Sequence, residues 1–213
     1  MTPLRQLDDR LFLWINDVAR HTPWLHTTML AYATYGVGLF GLLLLLALAV
    51  NRHAPSRRLA ATGWAAVATL LALGLNQPLG HFFAEARPYA THPGILRLAS
   101  VTTDFSFPSD HAVMAGAVAA GLLLASRRLA LTATVLAVLL AFARVYIGAH
   151  YPWDVLAGLA LGAAVALGGW WALGRPLTGL VGWLRRLPGL RRVFDEHPAA
   201  GPQHTPREVS ARS

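Results

Sequence analysis

An arginine, a histidine and an aspartate occur at short intervals where two apolar segments of this chain meet. His150 follows Arg144 by six residues, and Asp154 follows His150 by four. A carboxylate one helical turn from an imidazole can accept from one ring nitrogen, which sets the tautomer and leaves the other nitrogen free to attack or to transfer a proton. Arg144 lies in the closing part of an apolar segment, where an unpaired charge costs roughly 2.5–3.5 kcal/mol. We therefore expect Arg144 to have a functional partner, and an anion suits it.

The composition indicates a membrane protein. Of the 213 residues, 55% are hydrophobic and 13% are charged, and the mean hydropathy is +0.46, which is too apolar for an ordinary soluble domain. The chain has no cysteine, which excludes disulfides, thiolate metal sites and cysteine nucleophiles. The net charge of +8 comes with arginines in short clusters between apolar runs and near the C-terminus. Such clusters are typical of loops that face anionic lipid, so we expect no nucleic-acid partner.

The apolar segments predict an all-α fold, a polytopic membrane bundle of about five transmembrane helices. Residues 1–20 predict an amphipathic helix that either lies in the membrane interface or caps the bundle. We expect residues 21–194 to form one transmembrane domain that carries the candidate catalytic residues. Residues 195–213, rich in Pro, Gly and charge, predict a disordered cytoplasmic tail. The five predicted spans are Trp24–Val50, Leu59–Phe83, Ala112–Ala125, Leu129–Gly148 and Pro152–Leu173.

Basic loops indicate which side of the membrane carries the candidate residues. Arginine clusters occur in residues 51–58, in residues 126–128 and after Arg175, and the positive-inside rule places them in the cytoplasm. The opposite ends of the spans then face outward, and two predicted helix N-termini, after Ser109 and near Pro152, point the same way with free N–H groups. Together with two arginines they predict an oxyanion pocket. The residues expected to meet there are Arg87, Ser109, Asp110, His111, Arg144, His150 and Asp154.

This set of residues favours attack on a phosphorus atom. With no thiol in the chain, the available nucleophiles are Ser109, the histidines, or a water that one of them activates. His150 is the preferred nucleophile because Asp154 can orient it and stabilise the imidazolium that forms. Expulsion of an alkoxide or phosphate needs a proton, which a protonated His111 can supply as general acid.

Three linked elements resemble the signature of the type 2 phosphatidic acid phosphatase superfamily, which consists of Arg-Pro, Pro-Ser-(Gly/Asp)-His and Arg-x5-His-x3-Asp. Here they read Arg87-Pro88, Pro108-Ser109-Asp110-His111, and Arg144 with His150 and Asp154. The resemblance implies a phosphatase that needs no metal and no other cofactor. It also implies a phosphohistidine on His150, leaving-group protonation by His111, and phosphate binding by Arg87, Arg144 and the Ser109–Asp110 region.

Details of the sequence look most like the bacitracin-resistance subgroup, whose members are undecaprenyl-diphosphate phosphatases. The shared features are Glu85, Asp110 and the stretch 149–155. The resemblance implies a lipid substrate, location in the bacterial cytoplasmic membrane and a site that faces outward, where the diphosphate of the cell-wall lipid carrier is released. Oligomeric state does not follow from the sequence.

One position departs from the family pattern. Many members carry a lysine seven residues before the Arg-Pro arginine, where this chain has Gly80. His81 is adjacent, but on a helix it points about 100° away. We regard His81, Glu85 and Arg97 as possible substrate contacts.

Two other functions compete with polyprenyl-diphosphate hydrolysis. The same pocket would suit phosphatidylglycerophosphate, phosphatidic acid or another lipid monophosphate. A protein of another class, which binds or transports an ion across the membrane without catalysis, would use the histidines and Asp154 to hold a cation. The two arginines of the cluster argue against that function because they repel a cation.

Overall fold

A computed structural model describes residues 3–187, which contain helices and no strand. The all-α prediction is therefore confirmed. The predicted tail, residues 195–213, and the last residues of the predicted catalytic domain lie outside the described part of the chain. The helices are α1 (Pro3–His21), α2 (His26–Tyr35), α3 (Val37–Asn51), α4 (Ser56–Phe83), α5 (Pro88–Thr91), α6 (Asp110–Leu123), α7 (Arg127–Tyr146) and α8 (Pro152–Leu184), with a 3-10 turn at Pro23–Leu25.

Three helices, α4, α7 and α8, are long and apolar enough to cross a membrane, and the bent pair α2–α3 is a fourth if its two halves together form one span. The 14 residues of α6 are also apolar but extend only about 21 Å at a rise of about 1.5 Å per residue. The expected end of the last span at Leu173 was too early, because α8 continues through Pro176 to Leu184.

The first predicted span is broken where a single helix over Trp24–Val50 was expected. The two halves meet at Gly36 with a bend of 51°. A Cβ at position 36 would overlap the Tyr32 carbonyl and lie 2.9 Å from the Tyr32 ring. The Tyr32 hydroxyl donates to the Leu136 carbonyl at 2.7 Å, which ties α2 to α7. At the end of α7 where the candidate residues lie, Ala33 of α2 belongs to the same buried cluster as Ala143 and Tyr146.

Close packing between α6 and α8 positions the central part of the bundle. A Cβ added at Gly162 would overlap the Val113 carbonyl, and one added at Gly158 would lie 2.8 Å from the Ser109 carbonyl. Small residues at such positions let two backbones approach, as membrane helix pairs require. The Ser109 N–H donates to the Asp154 carbonyl at 3.2 Å across the same interface. The start of α6 is thereby held directly against the start of α8.

The predicted amphipathic helix is α1, and it packs on the end of the bundle that carries the candidate residues. Its buried Asn16 donates to the Leu96 carbonyl at 2.7 Å and accepts from the Leu96 N–H at 3.0 Å. Asp8 accepts from the Trp153 N–H at 2.9 Å, at the start of α8. The opposite side of the helix exposes Leu4, Leu7, Leu11 and Trp14. Both features considered for residues 1–20 thus occur in one helix: it caps the bundle and presents an apolar face.

Candidate active site

His150 is buried, with only 2% of its surface exposed, in the short connection between α7 and α8. Its Nδ1 lies 2.8 Å from the Ser106 carbonyl oxygen. Because a carbonyl oxygen only accepts, Nδ1 carries the proton and donates it there. Nε2 therefore has a free lone pair, and it accepts from Arg87 Nη1 and from Arg144 Nη2, each at 3.2 Å. The ring is oriented so that its nucleophilic nitrogen faces two guanidinium groups.

The environment of His150 keeps its imidazole neutral. Burial places the pKa of His150 well below its ordinary value of 6.5, and the positive charges of Arg144 and Arg87 lower it further. The hydrogen bond to the Ser106 carbonyl opposes these effects only in part. A neutral ring is the form that has a lone pair to attack with.

Asp154 acts on His150 through an intermediary, unlike the direct hydrogen bond expected from the spacing of four residues. Its Oδ2 is 3.6 Å from His150 Nδ1, which is too long for a hydrogen bond. The same oxygen accepts from the Ser106 hydroxyl and from the Tyr151 N–H at 2.8 Å. Asp154 thus fixes Ser106, and the Ser106 carbonyl fixes the imidazole.

The two arginines differ in how fully their donors are used. Arg87 donates from Nη1 to the Ala149 carbonyl at 2.9 Å, and its Nη2 forms a 3.0 Å ion pair with Asp104. Arg144 makes a long 3.4 Å contact from Nη1 to the Ala33 carbonyl of α2. The buried Arg144 Nε has no hydrogen-bond partner among residues 3–187. Arg144 therefore retains a donor for a ligand.

A cavity of about 250 Å³ opens in front of His150. His111 and Asp110, from the first turn of α6, line it together with both arginines. Ser109 is fully buried beside them, and its hydroxyl neither caps α6 nor finds another partner in the part of the chain that is described. The structure thus brings the three sequence elements together around one space, which two arginines, two aspartates and two histidines line.

One carboxylate oxygen of Asp110 is used by hydrogen bonds from α4. Its Oδ1 accepts from Asn76 at 2.7 Å and from Gln77 at 3.3 Å, both on α4. These bonds tie α6 to the polar end of α4. We therefore assign Asp110 to orientation of the phosphate-binding segment, whereas the resemblance had grouped it with the groups that hold phosphate.

The possible substrate contacts are not confirmed by their positions. Glu85 pairs with Arg5 of α1 at 3.0 Å, and Arg97 stacks over the Tyr89 ring at 5.8 Å, and neither lines the cavity. His81 lines a second cleft, which borders the first through residues 104, 105, 108 and 110. Two of the N–H groups expected to be free at the start of α8 are used, because those of Tyr151 and Trp153 donate to Asp154 and Asp8.

Two participants, Ser106 and Thr34, were not among the residues predicted from the sequence. Ser106 belongs to the loop between α5 and α6, as does Asp104, whose side chain the sequence left as a possible substrate contact. Thr34, which lines the cavity from α2, lies in the first predicted span, where the sequence indicated no site residue. Their roles depend on contacts between segments distant in the chain.

Comparison with known proteins gives a consistent result. The profile of the PAP2 superfamily matches residues 61–176, just over half of the chain. The bacitracin transport permease protein BcrC of Bacillus licheniformis is 29% identical over 78% of this chain and 80% of its own length. The undecaprenyl-diphosphatase BcrC of Bacillus subtilis is 28% identical over 70% of this chain and 75% of its own length. The crystal structure of Aquifex aeolicus LpxE superposes with a TM-score of 0.61 at 28% identity, covering 76% of this chain and 93% of that one.

Proposed function

Since the chain belongs to the PAP2 superfamily as an integral membrane phosphatase, we propose that it hydrolyses undecaprenyl or a related polyprenyl diphosphate to the monophosphate and inorganic phosphate. The reaction proceeds through a phosphohistidine on His150 at the outer face of the membrane, and it recycles the lipid carrier of cell-wall synthesis. The name of the Bacillus subtilis relative supports this substrate.

The observation that carries the proposal is the convergence of two guanidinium groups on one imidazole nitrogen. Arg87 and Arg144 each lie 3.2 Å from His150 Nε2. Two cations around a neutral nucleophile suit a phosphoryl group, whose negative oxygens they bind while the nitrogen approaches the phosphorus. The unpartnered Ser109 hydroxyl and Arg144 Nε are further donors for those oxygens.

In the first step, the lone pair of His150 Nε2 attacks the terminal phosphorus and the bond from phosphorus to the bridging oxygen breaks. In the empty cavity, burial and the charge of Arg144 lower the pKa of His111 to about 3, so His111 takes up its proton together with the anionic substrate. It then donates that proton to the departing monophosphate. His150 becomes positively charged, and its Nδ1–H stays bonded to the Ser106 carbonyl. In the second step, His111 accepts a proton from water, the water oxygen attacks phosphorus, and the N–P bond breaks to release inorganic phosphate.

The experiment measures phosphate release by the purified protein from undecaprenyl diphosphate in detergent with excess EDTA. We expect turnover with chelator present. With 32P in the terminal phosphate of the substrate, the wild-type protein should acquire an acid-labile label, and His150→Ala should not. The His150→Ala and His111→Ala variants should each lose nearly all turnover while eluting as folded protein. Full loss of activity in EDTA would refute the metal-independent mechanism, and wild-type turnover in either variant would refute the assigned roles.

The alternative substrates are lipid monophosphates, because the same phosphoryl pocket serves a monoester. A parallel assay with phosphatidylglycerophosphate and phosphatidic acid tests this alternative. We expect a higher kcat/KM for the polyprenyl diphosphate, and the reverse order would make the protein a monophosphatase.

The competing function of another class is ion binding or transport; the name of the Bacillus licheniformis relative mentions transport of bacitracin and no ion. The arginines beside His150 argue against it, since Arg87 and Arg144 already donate to the Nε2 lone pair that a cation would need. Catalytic release of phosphate is the measurement that separates the two classes.

A further inference from the structure

Asp104 occupies the edge of Arg87 that a phosphate would use. The Asp104 carboxylate accepts from Arg87 Nη2 at 3.0 Å, and its backbone carbonyl accepts from Arg87 Nε at 3.3 Å. Nε and Nη2 form the edge with which arginine binds two oxygens of one anion. The remaining nitrogen, Nη1, is directed to Ala149 and His150. The phosphate-binding edge of Arg87 therefore already has a carboxylate on it.

The two partners of this ion pair differ in exposure. The Arg87 side chain is 8% exposed, whereas the Asp104 side chain is 60% exposed and also lines the cavity. Arg87 is held from behind by the Ala149 carbonyl, so it cannot follow Asp104 outward without losing a buried bond. Asp104 can leave by rotating its side chain toward solvent. The carboxylate is thus the mobile member of the pair.

Fixed points on either side of Asp104 confine such a movement to the side chain. On one side, the Thr102 N–H donates to the Tyr89 hydroxyl at 3.1 Å. On the other side, the Ser106 N–H donates to the Glu85 carbonyl at 2.8 Å. Burial raises the pKa of Asp104, but a hydrogen bond from Thr102 and the charge of Arg87 lower it below its ordinary value. Asp104 is therefore an anion on an anchored loop, beside the space proposed for another anion.

We propose that the Asp104 carboxylate competes with the substrate phosphoryl group and with product phosphate for Arg87. When the cavity is empty, the carboxylate neutralises and orients Arg87. A bound phosphoryl group takes its place, because two anions cannot share the same guanidinium edge without repulsion. After the second step, the returning carboxylate weakens the hold of Arg87 on inorganic phosphate and promotes its release. This inference rests on the proposed function in one respect, namely that Arg87 binds phosphate.

The test is equilibrium binding of inorganic phosphate and of orthovanadate to the purified protein, measured by calorimetry, with steady-state kinetics on the lipid substrate. We expect Asp104→Asn to bind phosphate about tenfold more tightly than wild type, the scale of one charge-assisted hydrogen bond. Product inhibition should strengthen by a similar factor, and KM should fall. Asp104→Glu, which restores a carboxylate within reach, should return phosphate affinity to within about twofold of wild type.

Asp17→Asn is the matched control, because it makes the same change in net charge on α1, where Asp17 pairs with His21. It should leave phosphate affinity unchanged. If Asp104 served only to orient Arg87, the Asp104→Asn substitution would weaken phosphate binding. Competition predicts the opposite, namely tighter binding. Unchanged or weaker binding by Asp104→Asn would therefore overturn the inference.

Arg87→Ala separates this inference from its premise. If wild-type protein binds phosphate and Arg87→Ala weakens that binding, the premise holds and the Asp104 variants decide. If Arg87→Ala binds phosphate as wild type does, both the role of Arg87 and the competition by Asp104 are refuted. Should Asp104→Asn fail to fold, Asp104→Ser gives the same readout, since it also removes the charge and leaves the backbone bond to Arg87 Nε in place.

Discussion

At the scale of single residues, the orientation of His150 depends on a backbone carbonyl. The Ser106 oxygen fixes the tautomer, and Asp154 holds Ser106 by accepting from its hydroxyl. The acceptor for His150 Nδ1 is a backbone atom and does not depend on the side chain at position 106. Asp154 therefore acts on His150 indirectly, by holding Ser106 in place. The arrangement gives Asp154 a supporting role that differs from a directly bonded catalytic pair, in which the carboxylate contacts the imidazole itself.

The buried neutral imidazole predicts sensitivity to acid. In the unfolded chain, a histidine gains its proton near pH 6.5, whereas folded His150 stays neutral well below that pH. The stability that this group contributes is therefore complete above pH 6.5 and is lost as pH falls toward its folded pKa. Acidification below pH 6.5 should therefore destabilise the fold.

Thermal unfolding in detergent at pH 7.5 and at pH 5 measures this effect. We expect His150→Gln, which cannot take up a proton, to lose less stability on acidification than wild type does. Equal losses in the two proteins would show that His150 does not titrate below its ordinary range.

At the scale of elements, the contact between α6 and α8 determines whether the site can assemble. Ser109, Asp110 and His111 begin α6, and Asp154 lies in the first turn of α8. Glycines at the crossing allow the two starts to meet, with the Ser109 N–H bonded to the Asp154 carbonyl. The bend at Gly36 adds a third element, since it brings α2 to the cavity and supplies the Ala33 carbonyl to Arg144.

A pair of glycines in α8 tests the importance of this crossing. A Cβ at Gly162 would overlap the backbone of α6 at Val113, whereas a Cβ at Gly168 has nothing within 4 Å. Gly162→Ala should destabilise the protein by about 1–3 kcal/mol and lower kcat, because the start of α6 moves away from His150. Gly168→Ala should leave activity intact and stabilise α8 by up to about 1 kcal/mol.

Thermal unfolding and phosphate release in parallel distinguish these outcomes. Wild-type stability and turnover in Gly162→Ala would mean that the two helices can separate without disturbing the site. A loss in both variants would instead point to a general intolerance of α8 to substitution.

At the scale of the whole molecule, the site lies at one end of the bundle and the basic loops lie at the other. Arg52, Arg57 and Arg58 precede or begin α4, and Arg127 and Arg128 begin α7, while Arg87 and His150 follow the far ends of the same helices. The apolar face of α1 is at the site end. We propose on this basis that the basic end faces the cytoplasm and that α1 lies in the outer interface.

Cysteine labelling tests the proposed orientation, since the chain has no cysteine of its own. Pro93→Cys, in the exposed loop beside the site, should react with a membrane-impermeant maleimide in intact cells. Pro55→Cys, in the exposed basic loop, should react only after permeabilisation. The reverse pattern would place the site inside.

The all-α bundle, the order of its spans and most of the residues that converge on the cavity could be predicted from the sequence alone. These features are local: apolar periodicity encodes helices, and the spacing of Arg144, His150 and Asp154 along the chain carries the family resemblance. The charged loops add the relative direction of each span. None of this requires knowledge of which backbone atoms meet.

Only the tertiary structure decided what each group touches. The Ser106 carbonyl reaches His150 across 44 residues, and the Asp104 carboxylate reaches Arg87 across 17. The break at Gly36 and the capping of α8 by Asp8 likewise depend on segments that pack only after the chain has folded. Sequence spacing specifies which side chains share a helix face, whereas loop closure and helix packing determine which carbonyl, amide or carboxylate completes each hydrogen bond.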